Sequence, residues 1–175
     1  MTTERLKVAI YIRPMQLADV EQVHAVDCLS FSKPWPRRAY EYDLQGDTNS
    51  RLWVAETQSV NGKPTVVGMV VIWLVEEQAH IGTLAVHPDY RLRGIGTRLL
   101  ITALRSAQKT GAQKVSLDVR ASNLAAQALY RNLGFEVVYI RPNYYPDNHE
   151  DAFHMQLTSL ETTPLTAWEQ TYNVI

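Results

Sequence analysis

The stretch Leu84-Ala85-Val86-His87-Pro88-Asp89-Tyr90-Arg91-Leu92-Arg93-Gly94-Ile95-Gly96-Thr97 decides how the rest of the chain is read. It joins a strand, about Ala79 to His87, to a long helix, Gly94 to Thr110. On that helix Leu99, Leu100, Ala103, Leu104 and Ala107 share one face, and Gly111 supplies a stop. The first amides of a helix have no partner within it and its dipole is positive there, so an anion is stabilised. Gly94 and Gly96 lack a Cβ and let a pyrophosphate approach the backbone. Arg91 and Arg93 add charge and forked donors. Taken alone, two glycines at a helix start fit a tight turn beside a solvated charged face equally well. The loop is not a Walker loop, because no Gly-Lys-Ser/Thr follows. Nor is it the dinucleotide fingerprint, whose full spacing and downstream acidic residue are missing.

Upstream, Val8 to Arg13 alternates as a strand and stops at Pro14. Leu17, Val20, Val23, Val26 and Leu29 step by three and predict a helix. Phe31 to Pro36 is a proline-punctuated loop, and Arg37 to Leu44 a second helix ending near Gly46. Arg51 to Thr57 and Thr65 to Val75 read as strands around an Asn61-Gly62 hairpin signal, and Ala79 to His87 completes an antiparallel meander. Downstream come a strand (Val115 to Val119), a helix (Asn123 to Leu133, ended by Gly134) and strands at Phe135 to Ile140 and Phe153 to Leu157. This order predicts an α/β (α+β) fold: a mixed, mostly antiparallel sheet of about seven strands with helices on both faces. Residues 8–158 form the expected domain. In the tail, 159–175, Trp168, Tyr172 and Ile175 share i, i+4, i+7 spacing, which fits a short docked helix or a disordered end.

The 175 residues are 46% hydrophobic and 20% charged, enough for one domain with a real core. A net charge of −1 argues against non-specific nucleic-acid binding. That sum conceals a basic segment between Arg91 and Arg120, in which the only acid is Asp118. The single cysteine, Cys28, excludes a disulfide framework and reads as a buried helix residue rather than a nucleophile. The longest apolar run, Val66 to Val75, is about half a membrane span, and no signal-peptide pattern opens the chain. The expectation is a soluble, cytoplasmic protein without membrane or nucleic-acid partners. His80 and His87 face opposite sides of one strand and no metal-ligand spacing occurs, so no metal is expected.

Leu84-Ala85-Val86-His87-Pro88, the Arg91 to Gly96 loop and the segment Asn123 to Gly134 together resemble the GNAT acyl-CoA-dependent N-acetyltransferases, over roughly Tyr11 to Leu157. The block Asp118-Val119-Arg120-Ala121-Ser122-Asn123, with Ala126, Leu129-Tyr130 and Leu133-Gly134-Phe135, is similar to the RimI branch. Arg141-Pro142-Asn143-Tyr144-Tyr145-Pro146, Glu150-Asp151-Ala152 and the Pro34-Trp35 loop match that branch as well. Its members acetylate the N-terminal alanine of a small-subunit ribosomal protein. The resemblance implies acetyl-CoA as co-substrate and a protein N-terminus as acceptor. It implies that backbone groups of Leu84, Ala85 and Val86 pair with the pantetheine arm. Arg91, Leu92, Arg93, Gly94, Ile95, Gly96 and Thr97 would hold the pyrophosphate, and Asn123 and Tyr130 would contact the coenzyme. Asn123 and Tyr130 are two helical turns apart, with the small Ala126 between them and Gln127 expected at the groove edge.

Acetyl transfer to an amine needs a neutral nucleophile, a stabilised oxyanion and a proton for the leaving thiolate. Tyr130, protonated at neutral pH, can supply the last, and an amide near Val86 the second. Asp118 stands where the branch typically has glutamate, the implied general base. The shorter carboxylate can work through a water, orient the ammonium, or simply pair with Arg120 on the same strand face. Phe31, Trp35, Tyr144 and Tyr145 are expected to wall a peptide groove, with Glu150 or Asp151 attracting its positive end. Transfer to a small amine or an antibiotic, and a non-catalytic acyl-CoA- or nucleic-acid-binding module, are the alternatives. Tyr130 and the aromatic loops argue against the last, since phosphate binding requires neither.

Overall fold

The computed structural model describes residues 9–46, 49–58 and 62–174. The expected strand start at Val8, the Asn61 half of the hairpin signal and Ile175 lie outside the described residues. The elements run β1 (Ile10–Pro14), α1 (Val20–Ser30), α2 (Arg37–Gln45), β2 (Ser50–Gln58), β3 (Pro64–Val75), β4 (Gln78–Val86), α3 (Ile95–Lys109), β5 (Lys114–Arg120), α4 (Leu124–Asn132), β6 (Glu136–Tyr145), β7 (Glu150–Leu157) and α5 (Leu165–Tyr172). They build one seven-stranded sheet in the order β1-β2-β3-β4-β5-β7-β6. Every neighbouring pair is antiparallel except β4 and β5.

Strand alternation sends apolar side chains to both faces, and each face finds a cover. Val70, Ile72 and Leu74 of β3 pack with Leu99, Leu100, Ala103 and Leu104 of α3. Met69 and Val71 of the same strand turn the other way, onto Val23 and Val26 of α1 and Tyr40 of α2. The 3.6-residue period of α3 holds as expected. Helix α1 is less regular, since Leu17 sits in a preceding 3₁₀ turn and both Leu17 and Leu29 are exposed. Cys28 is also exposed, contrary to the expectation of a buried cysteine, because the buried stripe of α1 is Val20, Val23, Val26 and Asp27. Its Sγ lies 3.5 Å from His24 Nε2.

Two features of β4 position the site. Its ladder with β3 slips between Ile81 and Thr83, leaving Gly82 as a bulged residue. The bulge exchanges the faces: Ile81 belongs to the α3 side, whereas Ala85 joins the α1 side. Beside it, the parallel pairing with β5 covers only Gln78↔Lys114 to Ile81↔Leu117. Beyond that point the strands part and a cleft opens through the middle of the sheet.

Two boundaries differ from the sequence reading. Strand β6 continues to Tyr145, so Arg141 to Tyr145, expected in a loop, are carried on a strand whose ladder with β7 is interrupted between Arg141 and Tyr145. The tail forms α5: Leu160 and Leu165 are fully buried in the α3-side core, and Trp168 and Val174 pack against it. Arg105 of α3 clamps it with two bonds to Glu169, at 2.8 and 2.6 Å.

Candidate active site

The cleft between β4 and β5 contains two cavities that meet. The larger, about 740 Å³, lies over Leu84 to Val86, the Arg91 to Thr97 loop and α4. The smaller, about 500 Å³, lies between the α1–α2 loop, β5 and the β6–β7 turn. Ser30, Phe31, Leu84, Asn123, Ala126 and Tyr130 line both.

In the larger cavity the backbone itself presents polar groups. The His87 amide bonds the Val67 carbonyl at 2.8 Å, which fixes the alternation of the β3–β4 ladder. Ala85 therefore spends its backbone groups on β3, and Leu84 and Val86 direct theirs to the side that β5 has left. After a 3₁₀ turn at Pro88–Tyr90 the chain enters the turn that leads into α3. Leu92 (φ 58°) and Gly94 (φ 76°) are both left-handed, a backbone concavity of the kind that collects amides around an anion. Gly94 is the N-cap of α3 and has no side chain to bond the first amides of the helix, so Ile95, Gly96 and Thr97 offer theirs outward. At Gly96 the missing Cβ serves helix packing: an added carbon would stand 3.1 Å from Leu129 Cδ1 of α4. These groups fit a pyrophosphate followed by a thin amide-bearing arm.

The basic segment divides. Arg91 and Arg93 stay at the loop, Arg91 donating to the Val86 carbonyl (3.0 Å) and Arg93 to the Asp89 carbonyl (3.0 Å). Arg98, Arg105 and Lys109 lie instead on the flank of α3 toward β1, β2 and α5, around a separate cavity of about 250 Å³. The charge excess is thus only partly a feature of the Arg91 to Thr97 loop.

Helix α4 carries the residues between the two cavities. Asn123 is its N-cap, its Oδ1 accepting the Ala126 amide at 3.1 Å, which leaves the side-chain NH₂ for the cleft. Gln127 does not run along the groove edge as expected. It is buried and its Nε2 donates to the Arg120 and Ala121 carbonyls at 3.0 and 2.9 Å. Tyr130 is almost fully buried, its ring 5.8 Å from that of Phe135. Burial pushes its pKa up, with the neighbouring Tyr145 adding to the effect, so the phenol keeps its proton at neutral pH.

The smaller cavity is walled by Phe31, Trp35, Asp118, Arg120, Tyr145 and Asp147, among others. Trp35 is held by its amide, which donates to the buried Asp27 Oδ2 at 2.6 Å. Its ring stacks on Trp73 at 5.4 Å, and Trp73 stacks on His80 at 6.0 Å. This layer sits directly over the Gly82 bulge, where a Cβ would stand 2.9 Å from both tryptophans. Arg120 bridges the two loops over the cavity. It bonds Asp147 (2.8 Å) and Glu150 (3.1 Å) and lies 3.8 Å from the centre of the Tyr145 ring, while Asp147 also accepts from Ser32 at 2.6 Å. The alternative pairing of Asp118 with Arg120 does not form. Asp118 bonds Arg141 Nε (3.0 Å) and His154 Nδ1 (2.9 Å) instead.

Tyr144 and Glu150 stand outside both cavities. Tyr144 is half exposed and packs edge-on against Tyr145. Glu150 is committed to the Ser122 amide (2.7 Å) and to Arg120, and Asp151 to the Asn143 amide (2.8 Å). Both carboxylates therefore fasten turns. The sequence reading did not single out Ser30, Ser32, Gly82, Asp147 or His154 as site residues. Only a strand register places His154 opposite Asp118, and no local pattern announces that.

Comparison with known proteins places this geometry. Residues 20–135 match the acetyltransferase (GNAT) family. A Bacillus subtilis protein with the provisional name ribosomal protein bS18-alanine N-acetyltransferase is 33% identical over 153 residues, 87% of this chain and 98% of the relative. The Escherichia coli ribosomal protein bS18-alanine N-acetyltransferase is 32% identical over 83% of this chain and 95% of its own. The crystal structure of the ribosomal-protein-S18-alanine N-acetyltransferase from Escherichia coli superposes with a TM-score of 0.74 at 30% identity, covering 86% of this chain and 95% of that one. A parted β4–β5 pair, a left-handed turn with open amides at the start of α3 and this likeness over most of the chain agree: the chain belongs to the GNAT acetyltransferase family and is an acetyltransferase whose co-substrate is acetyl-CoA.

Proposed function

We propose that this enzyme acetylates the N-terminal α-amine of a protein, by direct attack within a ternary complex, and that its acceptor is a ribosomal protein of the small subunit. The observation that carries the reading is the junction of the two cavities at Tyr130. A coenzyme arm and an extended peptide end can enter from opposite sides and meet beside one phenol. The likeness to bS18-alanine N-acetyltransferases supports the choice of acceptor.

Acetyl-CoA supplies an activated acyl group and a thiolate leaving group. The chain does the rest. The turn from Arg91 to Thr97 holds the pyrophosphate, and Leu84 and Val86 bind the arm through backbone groups, the Val86 amide doubling as oxyanion donor. Asn123 orients the arm with its free amide hydrogens. Tyr130 donates its proton to the departing sulfur. Asp118 receives the proton of the attacking amine, directly or through a water. An α-amine has a reference pKa of about 7.7–8.0 and needs only a weak base, unlike a lysine side chain. Phe31, Trp35 and Tyr145 wall the first acceptor residues, and Tyr144 with the acidic Glu150 turn lies where the following residues emerge.

The test is transfer of acetyl groups to a peptide panel varying in its first three residues, with a lysine-only peptide as control. The reading predicts transfer to free α-amines and a preference among first residues. Transfer to the lysine control alone overturns it.

A further inference from the structure

Asp118 does not stand alone. It is the cross-strand partner of His154, and the two side chains meet at 2.9 Å between Asp118 Oδ1 and His154 Nδ1. A carboxylate oxygen only accepts, so Nδ1 carries the hydrogen. Arg141 Nε, from β6, donates to the same Oδ1 at 3.0 Å. Both bonds fall on one oxygen, which leaves Oδ2 for the acceptor cavity that Asp118 lines. The imidazole is itself fixed: it is largely buried and stacks on Tyr139 at 4.4 Å, nearly parallel, and the Tyr139 hydroxyl accepts from Arg141 at 2.8 Å. From β4, His80 faces the same group, held by Ser116 Oγ at 3.0 Å with its pKa lowered by burial. The groups facing His154 are therefore Asp118, Arg141, Tyr139 and His80, and among the described residues it does not line either cavity of the cleft.

We propose that His154 is a positioning residue for Asp118. It donates to Oδ1 and, together with Arg141, aims Oδ2 at the acceptor amine. There the amine's N–H bond breaks and an Oδ2–H bond forms, and the proton then leaves to water through the cavity. This assignment rests on the proposed role of Asp118 and on no particular acceptor.

The experiment measures kcat and KM for wild type, His154→Asn and His154→Phe, using whichever amine peptide the wild type acetylates. Asparagine keeps a donor near the Nδ1 position; phenylalanine keeps the ring stack but no donor. His154→Phe is expected to lose about tenfold to a hundredfold in kcat, the cost of misplacing a reacting group by about 1 Å, with the KM for acetyl-CoA unchanged. His154→Asn is expected to restore most of the wild-type kcat. In an Asp118→Asn background, neither substitution should lower kcat further. A folded His154→Phe enzyme with wild-type kcat overturns the proposal, as does an equal loss in both variants. If only lysine peptides are turned over, the α-amine reading fails while the His154 comparison is still read in full.

Discussion

In the proposed reaction the chemistry turns on Tyr130, which among the described residues alone combines a protonated phenol, near-complete burial and a place in both cavities. Replacing it with phenylalanine removes one oxygen and no packing volume. Tyr130→Phe should lower kcat by about 10²–10⁴-fold while acetyl-CoA still binds, as calorimetry would read; unchanged turnover would remove its role as acid. Gly82 is the opposite kind of residue, with no chemistry and a strict steric duty. Gly82→Ala forces a methyl against Trp35 and Trp73 and should destabilise the fold by about 1–3 kcal/mol, measured by denaturant unfolding. Sequence alone exposes some residues at this scale and hides others. Asn123 is legible because an N-cap is a local requirement. Gln127 is not, because its task arises only after β4 has parted from β5. The β5–β7 ladder leaves the Arg120 carbonyl facing the vacated side, and the Gln127 amide satisfies it.

At the scale of elements, hydrophobic period gave the helices and strands to within a few residues, and the failures have physical reasons. Strand β6 is mostly exposed and broken by an irregular register, so neither alternation nor an apolar face marks its second half. The Phe31 to Pro36 loop reads as punctuation, yet it is fixed by the carboxylate of Asp27, whose pKa burial pushes up despite the Trp35 amide it accepts. The tail carried a weak periodic signal because, among its described residues, only Leu160 and Leu165 are fully buried, while partly buried Trp168 and Val174 and the Arg105–Glu169 pair add to the docking. Leu165→Ala should cost about 2–5 kcal/mol in thermal or denaturant unfolding, the usual loss for a buried leucine. Truncation after Ser159 should likewise lower Tm, and a truncated chain as stable as the full one would exclude a docking role for α5.

Across the whole molecule, the active cleft is a gap in one sheet that two loops roof over. The roof is ionic. Asp147 is held down to about 2 by its bonds from the Ser32 hydroxyl and Arg120, and Glu150 to about 2 by the Ser122 bonds and Arg120. Carboxylates with depressed pKa values stabilise the fold fully above their ordinary range, about 4, and lose that contribution as pH falls toward 2. Acid unfolding of wild type and Asp147→Asn should therefore differ above pH 4 and converge near pH 2, followed by tryptophan fluorescence. None of the described helices is long and apolar enough to cross a membrane. The modest net charge of −1 proves to be a sum of separate devices: arginines at the turn before α3, a cationic flank on α3 and acidic groups roofing the smaller cavity. The central claim is that the two joined cavities bring a protein N-terminus to acetyl-CoA beside Tyr130. Its most direct test is mass-spectrometric mapping of the acetylated atom in peptides that carry both a free α-amine and a lysine. The account predicts acetylation at the α-amine, sensitive to the first residues and lost in Tyr130→Phe; acetylation confined to the lysine would contradict it.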